Sequence, residues 1–312
     1  MVWSEAMTRR GFLRMAGGGV AAGTLSRSVW AAGQTVPAGI QLYTVGSDLE
    51  KDPAGTLKKL KQIGFVEVET SPMMKQTPAE FHALAREAGL RVPSAHLMFG
   101  FEETDKVLED GKTLGVEYVV STILPPGAQP GGRQGGMQGV LHALNTLTAE
   151  DFRKVAARAN EIGQKAKAAG MQYAYHNHNI EFRDLGGGET GYAILLRETD
   201  PAVVKFEADT GWMRVAGADP VKLIEAHPER FAMLHVKDFK GITQPVTALM
   251  SPDAPKPTEL GRGDVDVRAI VAAGRKAGVR HIFVEQEPPF TEMPAMQAAA
   301  VDYAALRPML KG

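Results

Sequence analysis

Groups able to bind metal ions or move protons gather at the ends of four apolar runs: MQYAYHNHNIEF (171–182), AVVKFEADTGW (202–212), FAMLHVKDF (231–239) and HIFVEQE (281–287). A buried parallel strand reads as a short apolar run. His176, Glu181, Asp209, His235 and Glu285 therefore stand at or just past strand ends. Period-2 alternation puts His176 with His178, Glu207 with Asp209, His235 with Lys237 and Glu285 with Glu287 on shared faces. Neutral imidazoles and carboxylates together suit a divalent cation, and a lysine beside them can stabilise a developing oxyanion. Asp209 could instead cap the helix that follows. Trp212 offers either a platform for a sugar ring or a core contact. His96, closing Pro93-Ser94-Ala95-His96, is a candidate to hydrogen-bond substrate hydroxyls.

Those residues need a frame that brings distant strand ends together. Eight strand-like runs recur: Gly39–Tyr43, Phe65–Thr70, Val92–Leu97, Tyr118–Thr122, Gln172–His178, Val203–Asp209, Met233–Lys237 and Ile282–Glu287. Helical stretches lie between them, among them Pro53–Ile63, Pro78–Ala88, Asp105–Leu114, Ala149–Ala169 and Val267–Ala277. Several stop at a glycine just before the next strand (Gly64, Gly89, Gly115, Gly170 and Gly278). Eight β/α alternations select an α/β fold, a single (β/α)₈ TIM barrel over 37–312, rather than an open sheet. Catalytic groups then belong at the carboxyl ends of the strands. The two long connections, Pro125–Val140 and Ile242–Leu260, follow the fourth and seventh runs and fall on that face, as lids, partner contacts or solvated spacers.

Composition narrows the chemistry. The chain of 312 residues is 44% hydrophobic and 23% charged, ordinary for one large core. It has no cysteine, which excludes disulfides, thiolate catalysis and Cys-based metal sites. Any metal is held by His, Asp and Glu, which suits Mn²⁺, Mg²⁺, Zn²⁺ or Co²⁺. Residues 1–32 carry Arg9, Arg10, Arg14 and Arg27 against Glu5, so the remainder has 31 basic and 35 acidic residues and a net charge of −4. That balance argues against a nucleic-acid partner. No G-x-x-x-x-G-K-[ST], H-E-x-x-H, G-x-S-x-G or dinucleotide-binding glycine fingerprint is present, and Gly186-Gly187-Gly188 reads as a turn.

The first 32 residues read as an address. Thr8-Arg9-Arg10-Gly11-Phe12-Leu13-Arg14 precedes a short, glycine-rich apolar stretch and Val29-Trp30-Ala31-Ala32. This resembles a twin-arginine export signal, cleaved near Ala31 or Ala32, and implies a periplasmic product without a membrane anchor after cleavage. The apolar stretch is too short to span a bilayer.

Ordered contributions of Glu, Asp, His and Glu from the fifth to eighth runs, with the HNHxxEF segment, resemble the xylose-isomerase-like barrel superfamily. Its sugar isomerases, epimerases and inosose dehydratases include members called sugar phosphate isomerase/epimerase. The resemblance covers Gly39 to the C-terminus. It implies Asp209, His235 and Glu285 as metal ligands and Lys237 and His96 as substrate contacts. In the epimerases a Glu followed by Asn and His ends the fifth strand, whereas here His176 holds that place. Glu181 is then the favoured fifth-strand ligand, which leaves His176 as general base or substrate contact. The implied activity is a divalent-metal-dependent isomerase or epimerase abstracting a proton beside a carbonyl of a free sugar or keto-sugar. Export disfavours a phosphorylated substrate. Elimination from a 3-keto-glycoside or an inosose would use the same intermediate. A phosphodiesterase of the related endonuclease IV type would need a larger ligand set, and a non-catalytic periplasmic sugar-binding barrel is the reading of another class. A homo-oligomer is compatible with all of these.

Overall fold

The computed structural model describes residues 35–71, 74–127 and 136–311. The twin-arginine-like segment lies outside the described residues. Ten strands are present among the described residues: β1 (Ala38–Gln41), β2 (Glu67–Thr70), β3 (Arg91–His96), β4 (Tyr118–Ser121), β5 (Gln172–His176), β6 (Val204–Asp209), β7 (Phe231–Val236), β8 (Asp238–Lys240), β9 (Lys256–Thr258) and β10 (His281–Val284). Eight of them close a barrel in the order β1-β2-β3-β4-β5-β6-β7-β10 and back to β1, every pair parallel. The expected eight alternations and the (β/α)₈ architecture are therefore present. β8 and β9 form a small antiparallel ribbon beyond the barrel rim.

Local sequence explains where the helices begin and end. Asp52 caps Pro53–Ile63 by accepting from the Gly55 N–H at 2.9 Å, with proline at the first helical position. Thr77 with Glu80, and Thr148 with Asp151, form capping boxes for Pro78–Glu87 and Ala149–Ala168. Gly64, Gly89, Gly115, Gly170 and Gly278 all have positive φ, between 72° and 125°, a conformation only glycine adopts without strain. The helices bury Leu57, Leu60, Phe81, Val107, Phe152 and Ile270 against the outside of the barrel. No helix among the described residues is long and apolar enough to cross a membrane.

The structure departs from the sequence expectations at several ends. β5 stops at His176, two residues early, and a 3₁₀ turn at Ile180–Phe182 follows. β10 stops at Val284, so Glu285 and Glu287 belong to the segment beyond it. Part of the connection after β4 is a helix, Gly136–Asn145. The connection after β7 contains β9, and its backbone is pinned: Asn179 Nδ2 donates to the carbonyls of Val246 (2.9 Å) and Ala248 (3.1 Å). Asn145 Oδ1 accepts from the Leu249 N–H at 2.8 Å.

Asp302, on the last helix Ala295–Leu306, completes that fastening, its Oδ1 accepting from the Leu260 N–H at 2.7 Å. Burial pushes its carboxyl up to about 7, over the opposing Leu260 hydrogen bond, with Glu259 and Asp238 adding to the rise. Its ordinary value is about 3.9. A raised carboxyl opposes folding once the unfolded chain ionises, so the penalty is absent below about pH 4, grows to about pH 7 and stays constant above. Asp302→Asn, which keeps the acceptor, should leave stability unchanged at pH 4 and raise it by about 2–4 kcal/mol at pH 8. Denaturant titrations of both proteins at the two pH values check this.

Candidate metal centre at the carboxyl ends of the strands

Two layers of polar side chains fill the upper barrel. The lower one comes from inward positions of β2, β3, β5, β6 and β7. Strand alternation turns Glu69 and Glu207 inward, and both are fully buried. Glu207 Oε2 lies 2.7 Å from His96 Nε2, 2.9 Å from His176 Nδ1 and 3.2 Å from His235 Nε2. Glu69 Oε2 lies 2.6 Å from His235 Nε2, 3.0 Å from His96 Nε2 and 2.9 Å from Gln41 Nε2, which donates to it.

These carboxylates are ionised because the imidazoles outweigh burial. Burial pushes Glu69 up, but His96 and His235 hold it well below the carboxylate range. Burial and Glu69 push Glu207 up, but His235, His96 and His176 bring it down to about 2. Burial disfavours the His96 cation, yet Glu69 and Glu207 raise it to about 9. His235 is likewise held well above its usual value, by Glu207, Glu69 and Glu285 against burial. His176 goes the other way: burial, with the charges of His235 and His96, holds it well below 6.5 despite Glu207. It is the neutral member of the trio.

The upper layer holds Asp209, Glu285 and Lys237. Asp209 Oδ1 accepts from the Trp212 N–H at 2.9 Å, capping the helix Thr210–Val215. The capping role foreseen for this residue is therefore present, and it uses only one of the two carboxylate oxygens. Its buried Oδ2 has no hydrogen bond, only an ion-pair contact with Lys237 Nζ at 2.8 Å, and faces His176 Nε2 at 3.6 Å. Burial pushes Asp209 up to about 6, which Lys237 opposes and Glu285 reinforces. Glu285 Oε2 lies 2.8 Å from His235 Nδ1 and 2.9 Å from Lys237 Nζ. Lys237 Nζ also reaches Glu287 Oε1 at 2.7 Å, and Trp212 Nε1 donates to the same oxygen at 2.8 Å.

His176, Asp209, His235 and Glu285 each offer a donor atom within 4.8 Å of the others, and all four are buried. A divalent ion fits this set. Each histidine turns its far nitrogen onto Glu207 or Glu69 and its near one toward a carboxylate, the carboxylate–histidine arrangement that orients metal ligands. His235 carries a proton toward Glu285, which a metal ion would replace, so affinity would rise with pH. His96, His176, Glu207 and His235 form a second, overlapping group.

Glu181 stands apart from both groups. Its oxygens accept from the Tyr175 hydroxyl and the His178 N–H, each at 2.9 Å, and burial raises it to about 7. The structure puts His176, not Glu181, in the fifth-strand place among the donors, because the 3₁₀ turn folds Glu181 back onto its own strand. His178, past the strand end and half-buried, stacks edge-on to His176 at 5.1 Å, and burial lowers it to about 4. Trp212 is buried against Phe239 and lies under the Lys237 ammonium at 5.7 Å, a packed wall more than an open platform. His96 belongs to the lower layer and is 4% exposed. Sequence reasoning missed Glu69, although the Glu67-Val68-Glu69 alternation in an apolar run was its signal. It also missed Tyr43, 38% exposed at the head of β1.

The sequence matches the xylose isomerase-like TIM barrel family over residues 57–308. The chain belongs to that family. Among curated relatives, an inosose dehydratase of Clostridium tetani is 27% identical over 153 residues, 45% of this chain and 49% of that protein. Another inosose dehydratase, of Lacticaseibacillus casei, is 30% identical over 30% of each chain. The chain spans about half the length of these relatives or less. Among solved structures, a sugar phosphate isomerase/epimerase from Parabacteroides distasonis superposes with a TM-score of 0.69 at 22% identity, covering 92% of this chain and 99% of that one.

Glu207 holds three imidazoles at once, so Glu207→Gln should weaken binding of added zinc or manganese about 10–100-fold, the usual effect of losing a carboxylate behind metal-ligating histidines. Competition titration against a chelating dye measures this, and unchanged affinity would contradict the assigned role.

Proposed function

We propose that this protein is a divalent-metal-dependent carbohydrate enzyme that removes the proton beside a carbonyl and expels a β-substituent. The observation that carries the reading is the Lys237–Glu285 pair, 2.9 Å apart and buried at the edge of the donor group. A metal ion held by His176, Asp209, His235 and Glu285 would supply Lewis-acid polarisation of the carbonyl. Glu285 takes the carbon-bound proton. Despite burial, Lys237 and His235 hold it well below the carboxylate range, so it is ionised at neutral pH. Lys237, kept charged by Asp209, Glu285 and Glu287 against burial, steadies the oxyanion and protonates the departing oxygen. The C–H and C–O bonds break, a C=C bond forms, and the proton on Glu285 returns to Lys237. The products are an unsaturated ketone and water or an alcohol.

Elimination is favoured over epimerisation by where the carboxylates stand. Glu285 and Glu287 both follow β10 and both contact Lys237. Inversion needs a second proton-transfer group on the opposite face of the ring. Across the barrel, His176 is committed to Glu207 through Nδ1, and both Glu181 oxygens are taken. The inosose dehydratases among the relatives support the same outcome.

The test is incubation in D₂O with added metal and a panel of inososes and 3-keto-sugars, read by mass spectrometry and by the ultraviolet absorbance of an unsaturated ketone. Elimination with one solvent deuteron in recovered substrate is expected, and Glu285→Gln should slow it at least about 10²-fold. An epimerised product would return the assignment to isomerase/epimerase. Tight binding with neither exchange nor elimination would leave a sugar-binding protein.

A further inference from the structure

A cavity of about 270 Å³ opens between the head of β1 and the segments after β2 and β10. Nothing in the catalytic scheme above uses it. Leu42, Tyr43, Leu49, Met74, Pro288 and Phe290 give it mostly apolar walls, with Glu50 and Lys75 facing each other at 3.4 Å. Its lining includes chain that runs on directly from the metal centre. Pro288 directly follows Glu287, which holds Lys237. The Tyr43 phenol, raised by burial, also feels the charges of Glu287, Glu285 and Lys237.

The size and lining select an occupant. A cavity of about 150 Å³ holds a benzene ring, so this one accommodates an aromatic ring with substituents. Thr44, Ser47 and Gln76 also line it, but a second sugar would still set most of its hydroxyls against Leu42, Leu49, Met74, Pro288 and Phe290, which cannot hydrogen-bond them, and an unpaired buried hydroxyl is unfavourable. An aromatic ring would find aromatic and thioether partners in Tyr43, Phe290 and Met74, which all line the cavity. We infer that this cavity is a subsite for an aromatic aglycone, so that the substrate is an aryl glycoside whose carbonyl-bearing sugar sits over the metal centre. The inference rests on the reading of the mouth as a carbohydrate site, and it makes the aryl group the β-substituent expelled.

The experiment compares calorimetric binding of phenyl and methyl glucosides, both anomers, to the full chain with zinc or manganese added. Burying the phenyl ring should tighten binding at least about tenfold over the methyl glucoside. Gly46→Trp tests the location, because Gly46 lines the cavity in helical conformation (φ −54°, ψ −41°) and a side chain there would meet nothing within 4 Å of its Cβ. It should abolish the preference and leave methyl glucoside affinity unchanged, and Phe290→Ala should reduce the preference. Equal affinities, no binding of either glucoside, or a preference that survives Gly46→Trp overturns the subsite. Proton exchange from keto-sugars without an aryl preference removes the subsite and leaves the proposed chemistry standing. An aryl preference without exchange does the reverse.

Discussion

The Glu207 carboxylate accepts from three imidazoles inside a barrel that excludes water, and the geometry of the upper barrel follows from that contact. Without His96 and His235 as cations, two carboxylates at this depth could not both stay ionised, because burial alone drives them neutral. Without Glu207 and Glu69, the imidazoles would lose their charge and their orientation. The four groups are stable only together. Their pairing, with Glu207 also holding His176 Nδ1, leaves His176 Nε2 and His235 Nδ1 aimed at Asp209 and Glu285. Such a lattice is a weak source of net stability, since desolvating the charges offsets their attraction. Its value is positional.

Much of this was legible in the sequence, and the exceptions have physical causes. Parallel strands buried on both faces read as apolar runs, and glycine ends helices through its backbone freedom, so the barrel and most helix limits follow from local signals. Asp209, His235 and Glu285 were visible because each closes such a run. The helix Ala295–Leu306 escaped notice because AMQAAAVDYAAL is apolar nearly all round and lacks the contrast that marks an amphipathic helix. Glu69 escaped because its role is set by His96 and His235, which the chain brings close only through barrel closure, over 166 residues in the case of His235.

The fifth strand shows the limit of spacing arguments most clearly. Alternation placed His176 and His178 on one face and left Glu181 free to return toward the metal. The backbone instead turns after His176, and Tyr175 and the His178 N–H capture Glu181 locally. A local hydrogen bond three residues away outcompetes a distant site, as short polar loops often do. The consequence is chemical, because a neutral histidine in that place leaves Glu285 and Glu287, both held by Lys237, on one side of the mouth.

One divalent metal ion held by His176, Asp209, His235 and Glu285 is the proposal on which the chemistry rests. Elemental analysis of protein purified without chelator tests it most directly, alongside an Asp209→Ala/His235→Ala double variant shown to be folded by circular dichroism. About one divalent ion per wild-type chain and almost none in the variant is the predicted result. A wild-type protein that takes up no metal, or a double variant that retains it in full, would contradict the account.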